Sequence, residues 1–544
     1  MVSHDILKYF ALLIASIIAF SSSLQEPKCD NALDNRGLNV WNCSSRDIID
    51  FEFLKGQIPG NVEVLDFSRN RFTELPSIEE SPDCDRESPC ENNTKNLCRR
   101  DILFGRNEIN RFKDDALHNL VCLRTLDLSY NELTSKIFHP NTFQEGAHHL
   151  QTLNLSGNKL GDLPDHVLGS PFLRSLRVLD LSNASLLSIS RSSVDDLGEL
   201  RLLNLSYNSL KEIHNQTFKG LTNLEFLDLR HNQLEVIDRE TFGDLVNLKE
   251  LWLSYNNIRE IHVNAFYNDT TLERLHLENN RFHSIPYSAI NKLPLLHTLN
   301  LKGNPIVAVT RDSQENKVRS LILDNTPLTS LQSYALASFS SLEYLFISHT
   351  KLKSIHPKIF GDHPPKLKEV VLESNHIATL ASESLPWQQM STLRLDGNPI
   401  ECNYSVAWII SSPALKGRLI CSAPPQLAGK ELKYLNAEDL QRYISFDNIL
   451  ILILVPASSP FLAICGFLIW KRRRHFTCCG PQVGGQYVSV FTRDANGSGE
   501  DAVSVEMKVQ FSRLKSVSNE GAKDKRALIK FESLPQREDE EDEI

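Results

Sequence analysis

The sequence has no surplus of positive charge. Its 58 Lys and Arg stand against 68 Asp and Glu, for a formal net charge of −10. Nucleic-acid binders gather basic residues on one face, so that class is set aside. The short patterns that carry catalysis are also missing. There is no Gly-rich phosphate loop, no H-E-x-x-H, no G-x-S-x-G and no C-x-x-C pair. No enzyme and no cofactor are expected. His148-His149 is an adjacent pair of metal-ligating side chains. Sequence neighbours point apart on an extended backbone, so no metal is expected there.

Charge is absent locally in two places. After Lys8 comes the apolar run YFALLIASIIAF, residues 9–20, and then Ser21-Ser22-Ser23. A basic residue, a short apolar stretch and small residues at its end predict a secretory signal peptide over 1–23. The second place is 449–470, ILILILVPASSPFLAICGFLIW, which holds no charge. As a helix it would extend about 33 Å, enough to cross a bilayer. Pro456 and Pro460 would kink it, which membrane helices tolerate. Lys471-Arg472-Arg473-Arg474 follow directly. Positive charge stays in the cytosol, so the expected topology is single-pass type I at the plasma membrane, with the N-terminus extracellular.

Cysteine partition agrees with that reading. Of 11 cysteines, eight lie between the two apolar runs: Cys29, Cys43, Cys84, Cys90, Cys98, Cys122, Cys402 and Cys421. An even number in an exported segment predicts disulfides. Cys465, Cys478 and Cys479 fall in or inside the membrane, where bridges are not expected.

The segment between the runs repeats itself. LRLLNLSYNSL starts at Leu200, LEFLDLRHNQL at Leu224, LKELWLSYNNI at Leu248, LERLHLENNRF at Leu272 and LHTLNLKGNPI at Leu296. Further copies start at Val62, Arg99, Leu123, Leu150, Leu176, Val318, Leu342, Leu367 and Met390, about fourteen over 62–400. The template L-x-x-L-x-L-x-x-N-x-L is the leucine-rich-repeat signature. Its alternating core predicts a short strand with one buried face, stacked in parallel on its neighbours. The expected fold is an α/β leucine-rich-repeat solenoid, a horseshoe with a parallel β concave face. The recurrent Asn, as in Asn208, Asn232 and Asn256, should bond the backbone of the adjacent turn. The recurring Phe218, Phe242, Phe266 and Phe360 should pack the convex side.

A solenoid exposes core at both ends and needs caps. Cys29 and Cys43, around NVWNCSS, suit an N-terminal cap over 24–61. Asn398-Pro399-Ile400-Glu401-Cys402, then Trp408, then Cys421-Ser422-Ala423-Pro424-Pro425 suit a C-terminal cap over 401–443. Here the chain resembles the extracellular leucine-rich-repeat type I membrane proteins with cysteine-flanked caps. These include capricious- and tartan-type adhesion receptors and Toll-type ectodomains, and the likeness runs from about Cys29 to Leu440. Three departures stand out. Tyr404 occupies the place of the usual second cap cysteine, and 441–443 lacks the usual fourth. Together they leave a Cys402–Cys421 bridge as the implied pairing. The third is an insertion at 77–96 carrying Cys84 and Cys90, with Cys98 just beyond; with Cys122 these allow three pairings, all open.

The tail, 471–544, is rich in charge and Ser and reads as disordered. No Toll-type signalling domain or kinase is expected in it. Cys478 and Cys479 fit palmitoylation. Tyr487-Val488-Ser489-Val490 resembles a sorting signal, and the terminal Asp542-Glu543-Ile544 resembles a ligand for a PDZ domain or another adaptor. Exported N-glycosylation sequons begin at Asn42, Asn92, Asn154, Asn183, Asn204, Asn215, Asn268 and Asn403. A ninth, at Asn496, lies inside and should be bare.

The expected function is a cell-surface receptor or cell-adhesion protein that binds a protein ligand, or another surface protein such as itself. The alternative is a non-signalling co-receptor, scaffold or decoy. The ligand-binding residues are read from the column between the two strand leucines. Early repeats place Asp66, Asp127, Asn154, Asp180, Asn204 and Asp228 there, an ordinary hydrated pattern. Later ones place Trp252, His276, Asn300, Ile322, Phe346, Val371 and Arg394 there. Ile322, Phe346 and Val371 should form one apolar stripe with Tyr344 beside it, and Trp252 is assigned to the same site.

Overall fold

The computed structural model describes residues 29–441, except 83, 85–97, 114, 118–119, 139–141, 144–146, 164, 169–170 and 269–270. The expected signal peptide, membrane span and tail lie outside the described residues, as do Cys90, Asn92, Cys478, Cys479 and Asn496. Among the described residues no helix is long and apolar enough to cross a membrane.

Each repeat contributes one three-residue strand. Among the described residues fourteen of them, from Val64–Asp66 to Thr392–Arg394, pair in parallel and in chain order. The middle residue of each strand points inward. In the repeat that begins at Leu200, Leu200, Leu203, Leu205 and Leu210 are all fully buried. Burying such a side chain contributes about 1.5–3 kcal/mol, so each added repeat extends one continuous core.

The turn after each strand would leave polar backbone inside. The repeat Asn prevents this. Asn232 Nδ2 donates to Leu205 O at 2.9 Å and to Leu229 O at 3.1 Å, while its Oδ1 accepts from Leu210 N at 3.0 Å. One buried amide thus closes backbone groups in two repeats, and Asn208, Asn256, Asn280 and Asn304 do the same. Thr326 and Thr350 stand in for Asn in two later repeats. Thr326 Oγ1 bonds only its own Leu323 O, and Thr350 bonds the side chain of Asn375.

On the opposite side Phe218, Phe242 and Phe266 are buried and stacked, with ring centres 6.2 and 5.5 Å apart. Strands sit only about 4.8 Å apart. The Phe side therefore takes more room per repeat than the sheet side. This difference bends the stack with the sheet on the inside.

Both ends are closed. At the N-terminal end Asp30–Leu33 pairs antiparallel with Asn39–Asn42, which pairs in parallel with the first repeat strand. A Cys29–Cys43 disulfide fastens this hairpin, and Trp41, Phe51, Phe67, Phe72 and Phe104 pack edge-on and stacked beneath it. At the other end Leu415–Lys416 extends the sheet, and Cys402 is bridged to Cys421. Trp408 Nε1 donates to Leu380 O at 2.9 Å, tying the cap to the repeats. In the inserted region Cys84 is bridged to Cys98, and Cys122 is also disulfide-bonded.

Candidate ligand-binding face

The sheet face carries two outward positions per strand, on either side of the buried middle residue. Parallel register then lines up equivalent positions of successive repeats. Ile322 is the register partner of Phe346, and Phe346 of Val371. All three are half-buried, and together they span about 10 Å across three strands. Tyr344 lies on the same face two residues before Phe346, half-buried, with the Lys368 ammonium 5.8 Å from its ring centre.

Charge borders this apolar stripe. On one side Lys368 pairs with Glu343 at 2.6 Å, and that bond raises the Lys368 pKa. On the other, Arg394 meets Glu373 at 3.4 Å. Asp324, two residues after Ile322, accepts from Ser348 N at 2.6 Å. Burial raises its carboxyl above the usual range, and that one bond offsets only part of the cost.

Trp252 is not part of this stripe. The strands bearing His276 and Asn300 separate it from Ile322. It belongs to a second cluster, with the His276 ring stacked 4.2 Å away, Phe226 at 6.3 Å and the Arg230 guanidinium 4.1 Å above its ring. His276 lies between two carboxylates, Glu250 at 3.2 Å and Glu278 at 3.5 Å. Burial opposes ionisation of both acids. Arg274 beside Glu250, and His276 and Ser254 beside Glu278, nevertheless hold them below the usual carboxylate range. Arg230 also forks onto Asp228, which is 2% exposed. Asp228 is therefore a buried ion-pair partner and not a hydrated surface acid. Leu103 also stands in the early column between Asp66 and Asp127, so that column is not wholly polar.

A third feature was not read from the sequence. The residue before each repeat Asn has left-handed backbone: φ is 57° at Tyr207, 53° at His231 and 58° at Tyr255. These three side chains stack at the edge of the sheet, with ring centres 4.2 and 4.3 Å apart and planes within about 11°. Their 24-residue spacing was visible as three rings in one repeat position.

The sequon asparagines divide into two groups. Asn183, Asn215 and Asn268 are exposed. Asn42, Asn154, Asn204 and Asn403 are half-buried, and each accepts at Oδ1 from the hydroxyl of its own sequon serine, at 2.7–2.8 Å. Among the described residues no group of His, Cys, Asp and Glu could hold a metal ion. His148 meets the Phe172 ring instead, at 5.2 Å.

Comparison with known proteins bears on the repeats and the fold. A leucine rich repeat family model matches residues 174–234, 227–282 and 316–377, and a second leucine rich repeat model matches 119–137 and 146–163. The CD180 antigen of Mus musculus is 27% identical over 194 residues, which cover 33% of this chain and 29% of that protein. The NT-3 growth factor receptor of Gallus gallus is 27% identical over 108 residues, 20% of this chain and 13% of that receptor. The chain thus spans less than a third of the curated relatives it matches. In the crystal structure of the TLR13–ssRNA13 complex, a chain 20% identical to this one superposes with a TM-score of 0.55. The match covers 69% of this chain and 52% of that one, and the likeness is one of fold.

Proposed function

We propose that this leucine-rich-repeat protein, of the extracellular receptor type, binds a protein ligand at the cell surface through the concave face of its C-terminal repeats. The observation that carries the reading is the registered stripe Ile322, Phe346 and Val371, with Tyr344 beside it and ion pairs along its border. A small apolar centre ringed by charge is how protein interfaces are built: desolvated anchors supply affinity and the polar rim sets orientation. Trp252 and its cation-stacked neighbours form a second contact area of the same face.

Topology and glycans fit the same reading. The signal peptide expected over 1–23 and the span expected over 449–470 would put the solenoid outside the cell. Sugars on Asn154 and Asn204 would cover the N-terminal half of the sheet face and leave the stripe open. The NT-3 growth factor receptor, a relative over 20% of this chain, is by its name a receptor for a protein factor, which supports a protein ligand here.

The test is Phe346→Asp with Val371→Asp on protein displayed at the surface of cells. The variant should reach the surface at the wild-type level and lose partner capture or self-association. Normal display with unchanged binding would place the site elsewhere. Deleting 480–544 then separates the two kinds of receptor: a signalling protein loses its output, whereas a co-receptor, scaffold or decoy keeps its binding-dependent effect.

A further inference from the structure

The stacked edge column described above has a gap in it, and a sequon stands in the gap. The column runs through Arg106, Tyr130, Gly157, Asn183, Tyr207, His231 and Tyr255. Each backbone N–H in it donates to the carbonyl one position earlier in the next repeat: Tyr130 to Ser156, Gly157 to Ser182, Asn183 to Ser206 and Tyr207 to Arg230, at 2.6–2.9 Å. These residues therefore succeed one another at the strand spacing, about 4.8 Å.

Rings fill every neighbouring place. On the C-terminal side Tyr207 stacks against His231, so one ring face is covered and the other faces the Asn183 repeat. On the N-terminal side Arg106 covers one face of Tyr130 at 4.7 Å. The Tyr130 ring in turn occupies the side-chain place of Gly157. A Cβ there would lie 2.6 Å from Tyr130 Cδ1, and φ of 70° reserves the position for glycine. Between those two rings stands only Asn183, which is exposed and makes no side-chain hydrogen bond among the described residues. It opens the sequon Asn183-Ala184-Ser185. Two strand spacings, about 9.6 Å, separate the place filled by the Tyr130 ring from Tyr207, leaving van der Waals room for one further ring between them.

We propose that the first sugar of an N-glycan on Asn183 is held in this slot, between the Tyr130 ring over Gly157 and the free face of Tyr207. An aromatic face is electron-rich, and the C–H groups of a pyranose carry the complementary partial charge. The sugar continues the aromatic stack across the gap. This glycan is then part of the solenoid surface and is held still, whereas sugar on Asn215, an exposed sequon asparagine outside the column, has no such ring beside it in the column.

The test uses the full chain expressed in a eukaryotic secretory host, with site-resolved glycopeptide mass spectrometry. Native endoglycosidase should release sugar from Asn183 about fivefold or more slowly than from Asn215, as expected for one stacked ring. Tyr207→Ala should abolish the difference. Tyr255→Ala removes the far end of the same stack without facing Asn183, so it should preserve the difference and controls for loss of folding. An unoccupied Asn183, equal release at both sites, or equal effects of the two tyrosine variants would overturn the slot. None of those outcomes touches the stripe at Ile322, which lies five strands beyond the Tyr207 repeat.

Discussion

The Arg230 guanidinium lies 4.1 Å above the ring of Trp252, one repeat further along the chain, while the same group forks onto the carboxylate of Asp228. One side chain thus neutralises a buried acid and joins two neighbouring strands.

Removing it should leave Asp228 buried without its counter-charge. Arg230→Ala is expected to destabilise the chain by about 2–3 kcal/mol, below the full cost of breaking a buried pair because Arg230 itself is partly exposed. Arg230→Lys should restore only part, since an ammonium cannot fork onto the carboxylate and stack as guanidinium does. Chemical denaturation of the three proteins measures this. Equal stability of Ala variant and wild type would deny the pair its role.

Asn232→Ala should be costlier than its size implies. It orphans Leu210 N inside the stack and takes one of two amide donors from Leu205 O and from Leu229 O, which keep Asn208 and Asn256. At about 1–3 kcal/mol for the one buried unsatisfied group and about 0.5–1 kcal/mol for each of the two further bonds lost, a loss of about 3 kcal/mol is expected. Thr326→Ala, which removes a single bond, should cost about 1 kcal/mol. Reversal of that order would rule out the amide ladder as the cause.

Cys402 and Cys421 close a loop with a sequence separation of 19. Their bridge should contribute about 3 kcal/mol. Cys402→Ser combined with Cys421→Ser should speed amide exchange first in the repeats that begin at Leu367 and Met390, because each repeat leans only on its neighbours. Uniform exchange along the solenoid would contradict this.

Asp324 supplies a pH test. Burial raises its folded-state pKa above the ordinary value, so folding favours the protonated acid and the ionised form is a penalty. The penalty is absent below the unfolded pKa, about 3.9, and is complete once pH has risen through the raised folded value. Asp324→Asn keeps an oxygen to accept from Ser348 N. The variant should melt higher than wild type at pH 7, and the gap should shrink toward zero near pH 3. A gap that widens on acidification would reverse the sign.

Much of the stripe is legible in the sequence. Counting from each leucine places Ile322, Phe346 and Val371 in one column. Their steps are nevertheless unequal, 24 residues and then 25, and only the paired register shows that the outer turns absorb the extra residue. A column has no length scale, so the sequence alone puts Trp252 in the same site. The strands of His276 and Asn300 keep it apart.

The sequence by itself determined the solenoid, because one leucine pattern repeated many times leaves a single way to bury every copy: parallel stacking with the Asn inside. It also determined which cysteines lie near each end. Tertiary structure alone decided that Cys84 pairs with Cys98, that Asp228 is a buried partner of Arg230, and that Tyr207, His231 and Tyr255 are one stack. The physical reason is the same in all three. Charge, thiol and ring interactions act over a few ångströms, and whether side chains 2 apart (Asp228 and Arg230), 14 apart (Cys84 and Cys98) or a whole repeat apart (Tyr207 and His231) come within that range is set by the folded backbone and not by their spacing in the chain.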